Sequence, residues 1–156
     1  MFILFPPFYF QYLYLSPFSS LNRLQTELTL KSLETLLSLL HIPAIPDHAA
    51  SFSIHEFRLI IEDACNGFGF YLLLASAIMA YGASVAEKIS WLLVGYLFVM
   101  FVNLLRLLFI VYMVSIDPDL FRLSHDVIGR YGMLLSVFVL YFIFVKTTSA
   151  DKKDFV

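Results

Sequence analysis

The chain has 156 residues, of which 60% are hydrophobic and 14% are charged, and its formal net charge at pH 7 is -2. Its mean hydropathy of +0.84 excludes an ordinary soluble domain, in which about a quarter of the residues are charged. The acidic balance argues against nucleic-acid binding, which depends on a basic surface. We therefore expect one compact membrane domain.

The first predicted element is a short apolar segment at residues 1–17, which carries no charge. It is short for a bilayer span, which needs about 20 residues, but its tyrosines suit the membrane interface. No basic segment precedes it and no clear cleavage site follows it, so the pattern favours a membrane anchor over a removable signal peptide.

The second element is an amphipathic helix predicted over residues 20–41. Leucines recur there every three or four residues, with charged and amide side chains between them, which predicts a buried leucine face. The charged face excludes a span, so the helix is expected to lie along the membrane surface or to cap the helix bundle. Pro43 and Pro46 then end it.

Residues 51–63 are predicted to be extended. Apolar and polar residues alternate there in two short runs whose phase breaks at His55-Glu56, which indicates a small hairpin or two short extended segments. An exposed edge could pair with an extended substrate peptide. A linker folded on the membrane surface is an equally good interpretation.

Three long apolar runs predict transmembrane helices at residues 64–83, 89–116 and 127–145. Short polar connections join them, and residues 146–156 form a charged tail. The fold class is therefore predicted to be an all-α integral membrane protein with these three spans, a fourth in the N-terminal segment, the surface helix and the small extended segment.

The only cysteine, Cys65, stands where the polar segment gives way to the first of these runs. A single cysteine excludes an internal disulfide and a multi-thiolate metal site. At or near the first turn of a helix, unpaired N–H groups and the positive end of the helix dipole favour a thiolate and a developing oxyanion. Cys65 is thus a candidate nucleophile, and an inert buried thiol is the alternative.

A single charge, Arg106, lies inside the 89–116 run. Burying it costs at least about 2.5 to 3.5 kcal/mol, so we expect it to face the protein interior and to be functional. Asn103 lies three residues earlier on the same helical face and can bond to it. An arginine that snorkels to the surface or neutralises a structural carboxylate is the alternative.

Alternation of the spans places the start of the first, the end of the second and the start of the third on one side of the membrane. Cys65, Arg106 and His125 therefore belong to the same side and are predicted to line one pocket. The lysines of the connections and the tail, at positions 88, 146, 152 and 153, give a weak positive-inside bias that places this pocket outside the cytoplasm.

Three motifs occur in order along the chain: Ala64-Cys65-Asn66-Gly67, Asn103-x-x-Arg106 and His125-Asp126-x-x-Gly129. Together they resemble the exosortase and archaeosortase family of membrane transpeptidases, in its compact branch, over residues 42–145. Any one motif alone would be weak. The chain departs from the family in having Asn66 where members commonly have Ser, and in having fewer membrane helices than many members.

The resemblance implies an enzyme of the cytoplasmic membrane that acts at its outer face. Its partners would be the lipid bilayer and membrane-anchored protein substrates whose C-terminal sorting signal consists of a short motif, a transmembrane helix and a basic tail. No cofactor or metal is expected, and the spacing of His41, His48 and His55 does not suit metal ligands.

The resemblance also implies roles for the site residues. Cys65 would attack the scissile carbonyl and form a thioester, His125 would be the acid and base, and Arg106 would hold the carbonyl or the oxyanion. Asp126 is expected to contribute less, because adjacent side chains often point apart. Asn66 and Asn103 are expected to support the site.

The main alternative is a small membrane adaptor or assembly subunit. In that case Cys65 would be an ordinary thiol, Arg106 would pair with a partner's carboxylate in the membrane, and His125 would be a polar loop residue. A transporter is a weaker alternative, because so few spans would have to oligomerise to form a path. Exchange of Cys65 for Ala or Ser separates the enzyme from the adaptor.

Overall fold

The computed structural model describes residues 18–42, 44–47, 51–54, 57–60 and 65–151. The predicted N-terminal span at residues 1–17, His48, His55 and the end of the tail at residues 152–156 lie outside the described residues. Apart from turns and one small sheet, the described residues are helical. The predicted fold class, an all-α membrane protein with a small extended segment before Cys65, is thus confirmed. Contacts divide the chain into two units, Met1–Phe68 and Gly69–Val156.

The first unit contains helix α1 (Phe18–Leu39) and an antiparallel sheet of three strands, which are β1 (Ala44–Asp47), β2 (Ser51–Ile54) and β3 (Phe57–Ile60). Ile54 pairs with Phe57, so the predicted break in alternation falls between two antiparallel strands, and residues 55–56 themselves lie outside the described residues. The prediction missed β1. Its Ile-Pro-Ala-Ile-Pro-Asp sequence resembles a turn, and Pro46, which has no N–H to donate, is tolerated because β1 is an edge strand.

The face of α1 that packs inside the protein is polar over its first half. Leu21, Leu24 and Leu28 are 54%, 57% and 43% exposed, so the leucine spacing identified the helix but not the face that packs inside the protein. The buried side chains of its first half are polar: Asn22, Gln25, Thr26 and Thr29. The buried face becomes apolar only toward the C-terminal end, at Leu33 and Leu37.

The second unit is a bundle of helices. In chain order these are α2 (Phe68–Ala80, whose first residue belongs to the first unit), α3 (Val85–Ile116), α4 (Leu120–Arg122), a π-helical segment (Leu123–Gly129) and α5 (Arg130–Asp151). α4, the π-helical segment and α5 form one continuous helix. α3, with 32 residues, and the continuous helix over Leu120–Thr148, with 29 residues, are long and apolar enough to cross a bilayer.

α2 is shorter than the span predicted at residues 64–83. Its 13 residues extend about 20 Å at 1.5 Å per residue, less than the hydrocarbon thickness of about 30 Å. The turn before it fixes its start, because the Phe68 N–H donates to Asn66 Oδ1 at 2.8 Å and Gly67 has a φ of 80°, in the left-handed region that favours glycine. Cys65 therefore precedes the helix instead of lying in its first turn.

α3 begins four residues earlier than predicted, at Val85. Ser84 and Glu87 form a capping box, in which the Ser84 N–H donates to Glu87 Oε2 at 2.7 Å and the Glu87 N–H donates to Ser84 Oγ at 3.3 Å. Because this pair satisfies two N–H groups of the helix end, the helix starts inside the segment that was predicted to be a connection.

The last helix also begins earlier than predicted, at Leu120 instead of residue 127. The Asp117–Asp119 turn is tight, since the Asp119 N–H donates to Asp117 Oδ1 at 2.9 Å and the Leu120 N–H donates to the Asp117 carbonyl at 3.1 Å. His125 consequently lies within a helix and not in the polar loop before it. At the other end, α5 continues to Asp151, into the segment that was predicted to be a tail.

The core of the second unit lies where α2, α3 and α5 meet. Its buried apolar side chains are Leu74, Ile78, Val99, Met133, Val137, Leu140 and Phe144. A Cβ at Gly95 would lie 2.7 Å from Leu74 Cδ2, so the glycine allows α2 to approach α3 closely. This packing holds α3 and the continuous helix side by side, and these two helices carry Arg106 and His125.

Candidate active site

Asn103 anchors Arg106 on α3. Arg106 Nη1 donates to Asn103 Oδ1 at 3.2 Å, and Asn103 is completely buried. The predicted contact between these two residues is therefore present. It follows from their spacing of three positions, which brings both side chains to one face of the helix.

Arg106 also packs against the π-helical segment. A Cβ at Gly129 would lie 2.8 Å from Arg106 Nε and 3.4 Å from Arg106 Cδ, so the arginine occupies the space that any other residue would fill. Arg106 Nε is buried and has no hydrogen-bond partner within the described part of the chain. The arginine thus faces the neighbouring helix, as expected for an interior charge in a membrane protein.

His125 lies in the same π-helical segment, four residues before Gly129. Its Nδ1 is 3.0 Å from Asp126 Oδ1, and its ring stacks on Phe121 with 5.2 Å between ring centroids and 14° between ring planes. The side chain is 22% exposed, which leaves part of the ring accessible. These two contacts fix the plane of the imidazole and turn Nε2, on the far side of the ring, away from Asp126.

The contact between His125 and Asp126 corrects the expectation that these adjacent side chains point apart. A π-helix closes its hydrogen bonds over five residues and not four, so it has more residues per turn and a smaller angle separates neighbouring side chains. Asp126 also lies 3.6 Å from Arg130 Nη2, one turn further on. Short π-helical segments inside longer helices are frequent at functional sites.

Cys65 belongs to the first unit, where it is half-buried and is followed by a turn that side chains of α1 hold. Asn66 is 1% exposed. Its Nδ2 donates to Asn22 Oδ1 at 2.7 Å, to the Asn22 carbonyl at 3.2 Å and to Thr26 Oγ1 at 2.9 Å. The residue that directly follows the candidate nucleophile is therefore fixed by its side chain.

The backbone of Asn66 is held as well. Its carbonyl accepts hydrogen bonds from Gln25 Nε2 at 3.3 Å and from Thr29 Oγ1 at 3.4 Å. We call the four buried polar residues of α1, at positions 22, 25, 26 and 29, the polar face of α1. All of its contacts with Asn66 lie within the first unit.

The structure brings Asn103, Arg106, His125 and Asp126 together in the second unit, and it places Cys65 and Asn66 in the first. The predicted convergence of Cys65 with Arg106 and His125 stays a prediction. The acidic neighbours Glu62 and Asp63 lie outside the described residues.

An open apolar groove of about 630 Å³ lies between α2 and α5. Leucine, alanine, valine and aromatic side chains line it, among them Leu74, Tyr131 and Phe138. None of the candidate catalytic residues contributes to its lining. Its chemistry suits hydrocarbon, so we do not place the reaction there.

A comparison with known protein families assigns the chain that carries these residues. The family model described as transmembrane exosortase (Exosortase_EpsH) matches residues 1–144. The chain belongs to the transmembrane exosortase family. No curated protein and no solved structure matches it. Exosortase membership, together with the two long apolar helices, makes this a membrane protein and supports a peptidase or transpeptidase role in general.

Three structural features of this exosortase were not predicted from its sequence. The packing of Arg106 on Gly129 could not be read from the sequence, where Gly129 appeared only as part of a motif. The stacking of Phe121 on His125 had a signal, because the two aromatic rings are four positions apart on one helix. No sequence signal indicated the role of the polar face of α1, since its partner Asn66 lies about 40 residues later in the chain.

Proposed function

We propose that this exosortase is a cysteine transpeptidase or protease that cleaves C-terminal sorting signals of exported proteins at the outer face of the cytoplasmic membrane. The observation that carries the proposal is the packing of Arg106 on Gly129, four residues after His125, whose ring contacts Asp126. A fixed cation and an oriented acid-base group thus lie on facing helices within the membrane bundle.

In the proposed reaction, His125 takes the proton of Cys65, and the sulfur attacks the scissile carbonyl carbon. The carbon–nitrogen bond then breaks, the released amine leaves with the proton from His125, and a thioester remains on Cys65. Water, or an amine or hydroxyl group of an acceptor, attacks the thioester and passes its proton through His125 back to the sulfur. The acyl group leaves on the acceptor.

Arg106 would stabilise the charge that develops on the carbonyl oxygen. A cation held by protein groups in a site of low dielectric constant stabilises such a charge more than a solvated one, because it needs no reorganisation during the reaction. The hydrogen bond to Asn103 Oδ1 supports this role, since it restricts the guanidinium without neutralising it.

The first test is the exchange of Cys65 for Ala in cells that contain the protein. We expect the C-terminal peptides of its exported substrates to persist in the variant and to be absent in the parent, as measured by mass spectrometry of membrane and secreted fractions. Ser76→Ala removes an exposed hydroxyl elsewhere in the bundle and should process normally. Normal processing by a Cys65→Ala protein at parental abundance would favour the adaptor instead.

The second test measures the side and the activation of the thiol together. A membrane-impermeant thiol reagent should alkylate Cys65 in intact cells, and the alkylation should be slower in Arg106→Ala and His125→Ala, because only the thiolate reacts and both side chains are proposed to favour it. Lys146→Ala is the control, because it removes an exposed cation near the far end of the continuous helix that carries His125. Equal alkylation rates in all four proteins would contradict the proposed site.

A further inference from the structure

We propose that the polar face of α1 is a positioning device for Cys65, which it holds through Asn66. The inference rests on the proposed function of Cys65 as the nucleophile. It assigns a role in the reaction to Asn22, Gln25, Thr26 and Thr29, whose helix was predicted only to lie along the membrane surface or to cap the bundle.

The hydrogen bonds of Asn66 involve all the polar atoms of its side chain and its carbonyl. Nδ2 donates to Asn22 and Thr26, Oδ1 accepts from the Phe68 N–H, and the carbonyl accepts from Gln25 and Thr29. Burying a polar group is costly unless it is hydrogen-bonded. A buried asparagine with this set of partners has one defined orientation.

The distribution of residues on α1 argues against simple packing. Leu21, Leu24 and Leu28 point outward, although apolar side chains on the buried face would join two elements without the need to satisfy any polar group. The chain instead places amides and hydroxyls on that face. Their geometry is directional, which fixes the position of Asn66 more narrowly than apolar contact does.

This constraint reaches Cys65 through the backbone. The Cα atoms of consecutive residues are about 3.8 Å apart, and Asn66 is anchored by its side chain and by its carbonyl. On the other side, the left-handed Gly67 and the capped Phe68 N–H set the start of α2. A shift of about 1 Å in a reacting group can lower a rate about 100-fold. A fixed turn would therefore keep Cys65 in the position that a fast reaction requires.

The test compares two threonines of α1. Thr26 accepts from Asn66 Nδ2 at 2.9 Å and donates to the carbonyl four residues earlier. Thr35 donates to the carbonyl four residues earlier at 2.8 Å but is exposed. Thr26→Val removes the contact with Asn66, Thr26→Ser keeps it, and Thr35→Val is the matched control for loss of a helix-internal hydroxyl.

The full chain is reconstituted in phosphatidylcholine nanodiscs, and the rate of Cys65 alkylation by iodoacetamide is measured at several pH values. We expect Thr26→Val to raise the rate about fivefold or more, because an unsatisfied Asn66 amide loosens the turn. Processing in cells should fall about tenfold. Thr26→Ser and Thr35→Val should match the parent in both measurements, and circular dichroism checks helicity.

Thr29→Val, which removes a donor to the Asn66 carbonyl, serves as a second variant and should behave like Thr26→Val. Parental alkylation in both variants would overturn the proposal whatever the function of Cys65. Faster alkylation with unchanged processing would also overturn it, provided that Cys65→Ala abolishes processing. If processing survives Cys65→Ala, the nucleophile assignment fails and the catalytic role of the polar face fails with it.

Discussion

At the scale of single residues, a glycine decides where Arg106 can lie. Gly129→Ala would place a methyl group 2.8 Å from Arg106 Nε and 2.8 Å from the Ser124 carbonyl. Both distances are shorter than real Cβ contacts, so the arginine has to shift and the backbone at Ser124 has to adjust. We expect processing to fall about tenfold or more and the folded state to lose about 1 to 3 kcal/mol, measured by mass spectrometry and by thermal unfolding.

Gly132→Ala is the control for this prediction. Gly132 lies on the same continuous helix, and a Cβ there would have nothing within 4 Å, so the variant should keep parental processing and lose no stability. Equal losses in the two variants would mean that an added methyl group anywhere on this helix, and not the position of Arg106, explains the result, since helix propensity favours alanine over glycine.

Asn103 is the second residue whose contribution can be measured. Asn103→Leu keeps the branching at Cγ and the number of side-chain heavy atoms but removes the acceptor of Arg106 Nη1. The half-buried guanidinium then loses one hydrogen bond. We expect a loss of about 1 to 3 kcal/mol in stability and a lower rate of processing. Asn103→Asp retains an oxygen at the same place and should recover most of the stability. Parental behaviour of Asn103→Leu would contradict the anchoring role.

These residues also show what the sequence can predict about the site. The bond between Asn103 and Arg106 was predictable, because it depends on a spacing of three within one helix. The contact between His125 and Asp126 was not predictable, because these residues lie in a π-helical segment that no local sequence pattern indicated. The space beside Gly129 belongs to two helices at once, so it is visible only in the folded bundle.

At the scale of elements, α1 shows the limit of hydrophobic periodicity. The leucine spacing predicted its helical structure and its bounds within two residues, since period and propensity are local. It did not predict the polar residues that pack inside the protein, because the preference for Asn22 and Thr26 there comes from Asn66. Periodicity counts apolar side chains and cannot count hydrogen-bond partners that are distant in sequence.

The exposed leucines of α1 lead to a prediction about the membrane. Leu24 lies on the leucine stripe and is 57% exposed, whereas Arg23 is charged, exposed and about 100° away around the helix. If α1 lies in the interface, a spin label at Leu24→Cys in a Cys65→Ser background should be relaxed by oxygen dissolved in the bilayer. A label at Arg23→Cys should be relaxed by a water-soluble nickel complex. Equal access of both reagents at both positions would place α1 away from the bilayer.

At the scale of the whole molecule, composition and run length predicted the membrane class and two of the spans, because the bilayer imposes a minimum apolar length that a sequence shows directly. They did not predict that α2 has only 13 residues. A hydropathy run continues through the Cys65–Gly67 turn, but Asn66 and the left-handed Gly67 stop the helix there. Apolar length sets how long a helix can be, and local turn chemistry sets where it begins.

The orientation of the bundle is the last prediction, and it follows from charge. Lys88 and Lys146 lie toward one end of the bundle and are followed in the sequence by Lys152 and Lys153, against Arg122 and Arg130 toward the other end. The positive-inside rule therefore predicts that the lysine end lies in the cytoplasm and the Asp117–Asp119 turn outside. In a Cys65→Ser background, an impermeant maleimide should label Asp119→Cys in intact cells. It should label Gly82→Cys, where added atoms meet nothing within 4 Å, only after permeabilisation. The reverse pattern would place the His125 end of the bundle in the cytoplasm, where it could not act on proteins that have already been exported.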